Sequence, residues 1–171
     1  MANMIPISTV TVGSGGASTF EFNSIPQIYT DLVIKVSARS NRVSNYDFLA
    51  MRFNGSATGY IDRQLYSDGT AVQVNIDGIG NTYIFATFFN GASSTANSFG
   101  NAEIYIPNYT ATSYKIALSD GAFENNSAQA ILNVDAGLWA NTAPITSISL
   151  IDASGTLQQY STATLYGIRK Y

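Results

Sequence analysis

Hydrophobic and polar residues alternate with a period of two along most of the chain. In D31-L-V-I-K-V-S-A-R39, Leu32, Ile34, Val36 and Ala38 fall on one side, with Asp31, Lys35, Ser37 and Arg39 on the other. That is the spacing of a strand with one buried face. The same parity predicts Ala102, Ile104 and Ile106 inside, with Glu103 and Tyr105 outside. It predicts Tyr114, Ile116 and Leu118 inside, with Lys115 and Ser119 outside. Further strands are expected over 7–12, 18–22, 48–53, 60–66, 71–76, 83–89, 129–134, 145–151 and 161–168. The total is about a dozen, at the ~8–12-residue interval of sandwiches and barrels. No segment repeats apolar residues at i, i+3, i+4 and i+7, so no helix is predicted.

Turn chemistry points the same way. Asn54-Gly55, Asp68-Gly69, Asp77-Gly78, Asn90-Gly91 and Asp120-Gly121 tolerate the positive φ of tight hairpins, and each is read as a turn between strands. Longer loops are expected over 40–46 and 91–100, and a hairpin tip over 124–128. Ser14-Gly15-Gly16 lacks the Lys and the following helix of a phosphate loop and reads as a turn. No segment has the composition of an interdomain linker, so residues 1–171 read as one domain.

The expected fold is all-β: an antiparallel two-sheet β-sandwich, jelly-roll-like, entered and left at one edge. Other two-sheet sandwiches and a barrel fit the same strand count. Internal repeats are missing, which argues against a propeller, a solenoid or a fibrous shaft.

Two strands carry extra information. The closing run S161-T-A-T-L-Y-G-I-R-K-Y171 sets Thr162, Thr164, Tyr166 and Ile168 against Ala163, Leu165 and Gly167. It is expected to close a sheet in a complete chain, with Gly167 leaving room for an aromatic ring to lie flat on the backbone. Y83-I-F-A-T-F-F89 is largely apolar on both faces. Such a strand is central between layers or half-covered by another subunit, and core burial is the favoured expectation.

Composition narrows the function. A chain of 171 residues buries roughly 70% of its unfolded surface, enough for a sizeable core. Charged residues are only 11%, against about 25% in ordinary proteins. Ser, Thr, Asn and Gly fill the difference, and a neutral hydrogen-bonding surface suits contact with other proteins because little charge has to be desolvated. The net charge of −3 and the scattered basic residues argue against a nucleic-acid partner. The start, M1-A-N-M-I-P-I-S-T-V10, lacks the parts of a secretion signal, and no apolar run approaches the ~20 residues of a membrane span. No membrane partner is therefore expected, and the product is expected to be soluble and intracellular.

Histidine and cysteine are absent. This removes His-based triads, Cys nucleophiles and nearly all zinc and copper sites, so no cofactor, metal or catalytic residue is assigned and the chain is read as a non-enzyme. Carboxylate chemistry stays open, since glycosidase acids usually come from separate strands. Asn75, Asp77 and Asn81 alternate as in a calcium loop but lack its bidentate Glu, so a hairpin at Asp77-Gly78 is the favoured reading. Trp139, in the loop-like D135-A-G-L-W-A-N-T142, either stacks on a sugar ring or plugs the end of the sandwich, and the plug is favoured. The N-x-[ST] triplets at Asn54, Asn108 and Asn125 are read as chance.

Three stretches together, F22-N-S-I-P-Q-I-Y-T-D-L-V-I-K-V-S-A-R39, R52-F-N-G-S56 and S161-T-A-T-L-Y-G-I168, resemble small all-β virion proteins of tailed bacteriophages. Related modules occur as capsid decoration (cement) proteins and within tails or fibres. The resemblance implies a jelly-roll-like homotrimer made in the host cytoplasm and carried on the capsid exterior, with the major capsid protein and its own copies as partners. It brings no catalytic motif. Ser93, Ser94, Thr95, Asn97 and Phe99 of the 91–100 loop, with Met4 and Ile5 at the start, are the expected interface residues. A tail or fibre receptor- or carbohydrate-binding module is the alternative, with Trp139 as its glycan contact.

Overall fold

A computed structural model describes residues 3–126 and 130–169, with side chains throughout except at 77–79. Among the described residues there are twelve strands and no helix. In chain order they are β1 (Asn3–Thr11), β2 (Thr19–Phe22), β3 (Asp31–Ala38), β4 (Tyr46–Phe53), β5 (Tyr60–Ser67), β6 (Val72–Asn81), β7 (Ile84–Asn90), β8 (Gly100–Ile106), β9 (Lys115–Phe123), β10 (Ile131–Trp139), β11 (Ile148–Asp152) and β12 (Thr162–Arg169).

Among the described residues the strands pair antiparallel, in a large sheet ordered β1-β12-β3-β8-β9-β10-β5-β6 and a small sheet ordered β2-β11-β4-β7. The facing quartets β1-β12-β3-β8 and β2-β11-β4-β7 interleave by chain order, which is the double Greek key of a jelly roll. The remaining strands are two inserted hairpins, β5-β6 and β9-β10. They join through β5 and β10 and prolong the large sheet by four strands beyond the jelly roll.

Parity explains the core. Leu32, Ile34, Val36, Ala38, Ile104, Ile106, Ala163 and Leu165 point inward from the large sheet. They meet Phe20, Phe22, Leu49, Met51, Phe53, Ile148 and Leu150 of the small one. A satellite cluster of Phe85, Phe88, Phe123 and Ile131, flanked by Tyr46, Phe48 and Tyr66, lies where β7 meets the inserted hairpins. Every residue of β7 is buried. A Cβ on Gly167 would come within 2.3 Å of the Tyr29 ring, so the flat aromatic expected there is Tyr29.

Three expectations are corrected. Asp77-Gly78 is not a hairpin turn: β6 runs through it, its pairing with β5 continuing to Tyr60↔Asn81 past a register shift between Tyr60 and Asp62. Asp120-Gly121 likewise lies inside β9, opposite Val134 and Asn133. Gly121 is needed there because a Cβ would sit 2.1 Å from Thr87 Oγ1. Residues 135–139 are strand rather than loop, paired with both β9 and β5, and the chain leaves the sheet only after Trp139.

In β9, Lys115, Ala117 and Ser119 are buried, while Ile116 and Leu118, with Tyr114 just before the strand, face solvent. The parity is the reverse of that expected.

Candidate docking surface

The inversion in β9 is one row of a larger pattern. Cross-strand partners point to the same face, so the register places Ile116 and Leu118 of β9, Leu132 and Val134 of β10, Leu65 of β5 and Val72, Val74 and Ile76 of β6 on one outward surface. These eight side chains are 44–68% exposed. Together they present on the order of 700 Å² of apolar surface, above the ~300–600 Å² of the largest patch on a typical monomer. Arg63 and Asp120 are the charged residues in these outward rows. On β1, β12, β3 and β8 the same face carries a polar patch of Thr9, Thr11, Thr162, Thr164, Ser37 and the exposed ion pair of Lys35 with Glu103, with Tyr166, Tyr105 and Met4 toward its far end. A shallow trough of about 750 Å³ runs along the boundary, between Lys35, Glu103 and Thr164 on one side and Leu132 and Val134 on the other.

The inward side of the hairpins explains why apolar residues face out. β7 is an edge of the small sheet and has no strand beyond it. Its free N–H groups are met by side chains instead: Phe85 N–H donates to Asp62 Oδ2 (3.0 Å) and Phe88 N–H to Asn133 Oδ1 (3.4 Å). Inward positions on β5 and β10 are therefore polar, with Asp62, Gln64, Asn133 and Asp135 all buried. Burial pushes the Asp135 carboxyl up to about 8, the Asn133 amide pulling it back and the charge of Asp62 adding to the rise. Lys115 is also drawn inside; its Nζ donates to Ala111 O (2.7 Å) and Ser113 O (2.5 Å), and burial lowers its pKa.

The loop expected to make contacts is held from within. Arg39 is buried, and its guanidinium donates to Thr95 O (2.8 Å), Ser98 O (2.9 Å), Ser94 O (3.0 Å) and Ala92 O (3.3 Å). Neutral carbonyls satisfy the cation, and burial lowers its pKa. Ser94 is buried and donates to Asn45 O (2.5 Å), and Thr95 Oγ1 donates to Asn125 O (2.8 Å). Phe99 is half-buried. Of the residues expected to bind a partner, Ser93 and Asn97 point to solvent from this loop. Behind it, burial pushes the Asp47 carboxyl up to about 6, and neighbouring Asp152 adds to the shift.

Met4 is exposed and Ile5 half-buried on β1, opposite Ile168 and Gly167. The 91–99 loop sits at the other end of the sandwich, beside Ala38 and Gly100. The seven expected interface residues thus fall at two opposite ends and form no common surface.

Trp139 is 2% exposed, stacked on Tyr60 at 6.2 Å with Phe53 at 5.7 Å. A ring covered in this way offers no face to a sugar. It closes the core beside Tyr60, whose hydroxyl accepts Phe53 N–H at 2.8 Å.

No protein-family model matches the chain, and comparison with curated proteins finds no match. Alternation alone missed the outward apolar surface because it does not say which side is inside. One signal was available: in β10, Ile131 and Trp139 share parity with Asn133, Asp135 and Gly137. Burying both large end residues forces Leu132 and Val134 outward.

Proposed function

We propose that the chain is a structural protein of a tailed-bacteriophage virion: a decoration protein on the capsid exterior that bridges capsomers of the major capsid protein and stabilises the shell. The carrying observation is the outward apolar surface of β9, β10, β5 and β6. A surface of this size, with few charges to desolvate, supports a role in holding other proteins. The resemblance of the first strands and the last to small virion proteins supplies the setting.

The mechanism is linkage. A protein that binds the assembled shell and not its free parts stabilises assembly by mass action. Leu132, Val134 and Leu65 near the middle of the patch are the anchors expected to dominate, with Thr and Ser at the rim excluding water. Trp139 and the sealed 91–99 loop give little support to glycan recognition.

The test is retention of purified protein on bare capsids and, separately, on tails. The double substitution Leu132→Glu and Val134→Glu is expected to abolish retention on capsids while leaving the circular dichroism of the sandwich unchanged. Undiminished retention would refute the apolar surface as the contact. Retention on tails in place of capsids would refute the decoration role.

A further inference from the structure

A two-sheet sandwich has four edges, and three of them here are guarded. β1 carries Pro6 and a register break between Pro6 and Ser8. β2 is four residues long. β7 has its N–H groups met by Asp62 and Asn133. Proline, bulges, brevity and side-chain cover are the usual means of stopping a sheet from adding a strand from another molecule.

The fourth edge, β6, lacks these guards over Val72–Ile76, where it pairs with β5 without a break; the shift in that pairing falls beyond Asp77. The strand is ten residues long, and its described outer part, V72-Q-V-N-I76, contains no proline and no charge. All five of these residues are exposed. The segment also reads the same in both directions by residue class: apolar, amide, apolar, amide, apolar. Antiparallel pairing of the segment with itself about a two-fold axis at Val74 places Val72 opposite Ile76, Gln73 opposite Asn75 and Val74 opposite Val74. Every apolar side chain then meets an apolar one, and every amide meets an amide able to hydrogen-bond with it.

We infer that β6 is a self-association edge, which pairs antiparallel with β6 of a second copy across a two-fold axis through Val74. The contact forms about four to six backbone hydrogen bonds and joins two eight-stranded sheets into one. It is isologous, as a two-fold contact must be. The outward apolar surfaces of both copies become continuous, so the pair presents twice the area of one chain. The inference stands on the edges alone and is independent of the virion reading.

The chain has no cysteine among its 171 residues, so a single introduced thiol reports cleanly. In an antiparallel pair, directly opposed Cα atoms lie ~4.5–5.5 Å apart, within disulfide reach. Full-length Val74→Cys is expected to form a covalent dimer on mild oxidation, while Val134→Cys on the flat face is not. Unmodified protein is expected to sediment as a dimer at about 10 μM, and Val74→Lys as a folded monomer with unchanged circular dichroism, since a charge on the axis meets its own copy. A monomeric wild type would overturn the inference. So would a trimer without the Val74→Cys crosslink, or crosslinking through Val134→Cys instead.

Discussion

At the scale of single residues, the hairpin extension is held by groups that ordinarily avoid interiors. Asp135 shows what this costs. Its carboxyl is lifted to about 8 by burial, so from the ordinary carboxylate range up to about pH 8 the folded protein keeps a proton that the unfolded chain has lost. Stability is full below the unfolded pKa, falls as pH rises through that window, and levels off above pH 8, with a slope approaching ~1.4 kcal/mol per pH unit. Asp135→Asn keeps the shape and a donor but removes the proton. The variant is expected to match wild type near pH 4 and to exceed it at pH 9 by more than about 5 °C in melting temperature. Thermal melts across that range check this; parallel profiles for the two proteins would remove Asp135 as the origin of the slope. Arg39 contrasts with it, because a guanidinium cannot discard its charge and instead gathers the carbonyls of the 91–99 loop around itself.

At the scale of elements, strands facing both sheets were legible and strands facing an edge were not. β3 and β8 alternate because an apolar layer lies beneath them and water above, so Leu32, Ile34 and Ile104 are readable as core, while in β12 the alternation leaves open which of its two faces, that of Leu165 or that of Tyr166, turns inward. β9 and β10 face β7, whose open edge needs acceptors and whose close approach needs small residues. Hydrophobic alternation therefore points the wrong way in β9, and the polar 91–99 loop, whose composition suggests a contact surface, serves the fold instead. Asp-Gly pairs mislead as turn signals in β6 and β9 because tertiary pairing outweighs local preference: β9 is paired on both sides and packed on Thr87 of β7 at Gly121, and β6 resumes its pairing with β5 at Asn81. The close approach gives a test. A Cβ on Gly137 would lie 2.2 Å from Ile84 Cγ2, so Gly137→Ala is expected to destabilise by about 1–3 kcal/mol. Ala136→Ser, on the exposed face one residue away, is expected to stay within ~0.5 kcal/mol. Urea titrations of both variants decide it, since equal effects would mean that β10 does not press on β7 through this side.

At the scale of the whole molecule, one sheet face is divided between two kinds of surface, and they answer differently to salt. The polar half offers hydroxyls and the Lys35–Glu103 pair, each side chain about half exposed (54% and 44%), and a pair of that kind contributes little in water. The apolar half offers area, with Arg63 and Asp120 as its charges. A partner held through the polar half by charge would be shed as ionic strength rises, because at ~0.15 M salt surface fields are screened beyond about 8 Å. A partner held through β9, β10, β5 and β6 would be indifferent to sodium chloride and bound more firmly in sulfate, which strengthens the burial of apolar surface. The net charge of −3 is too small to attract any partner strongly from a distance. Retention on capsids is accordingly expected to change less than about twofold between ~0.05 and ~0.5 M sodium chloride and to rise in ammonium sulfate. Amide exchange should slow along β9 and β10 on binding and stay unchanged along β12 and β1. A tenfold loss of retention over that chloride range, or protection on the threonine-rich strands instead, would move the contact to the polar half and leave the exposed leucines and valines without a role.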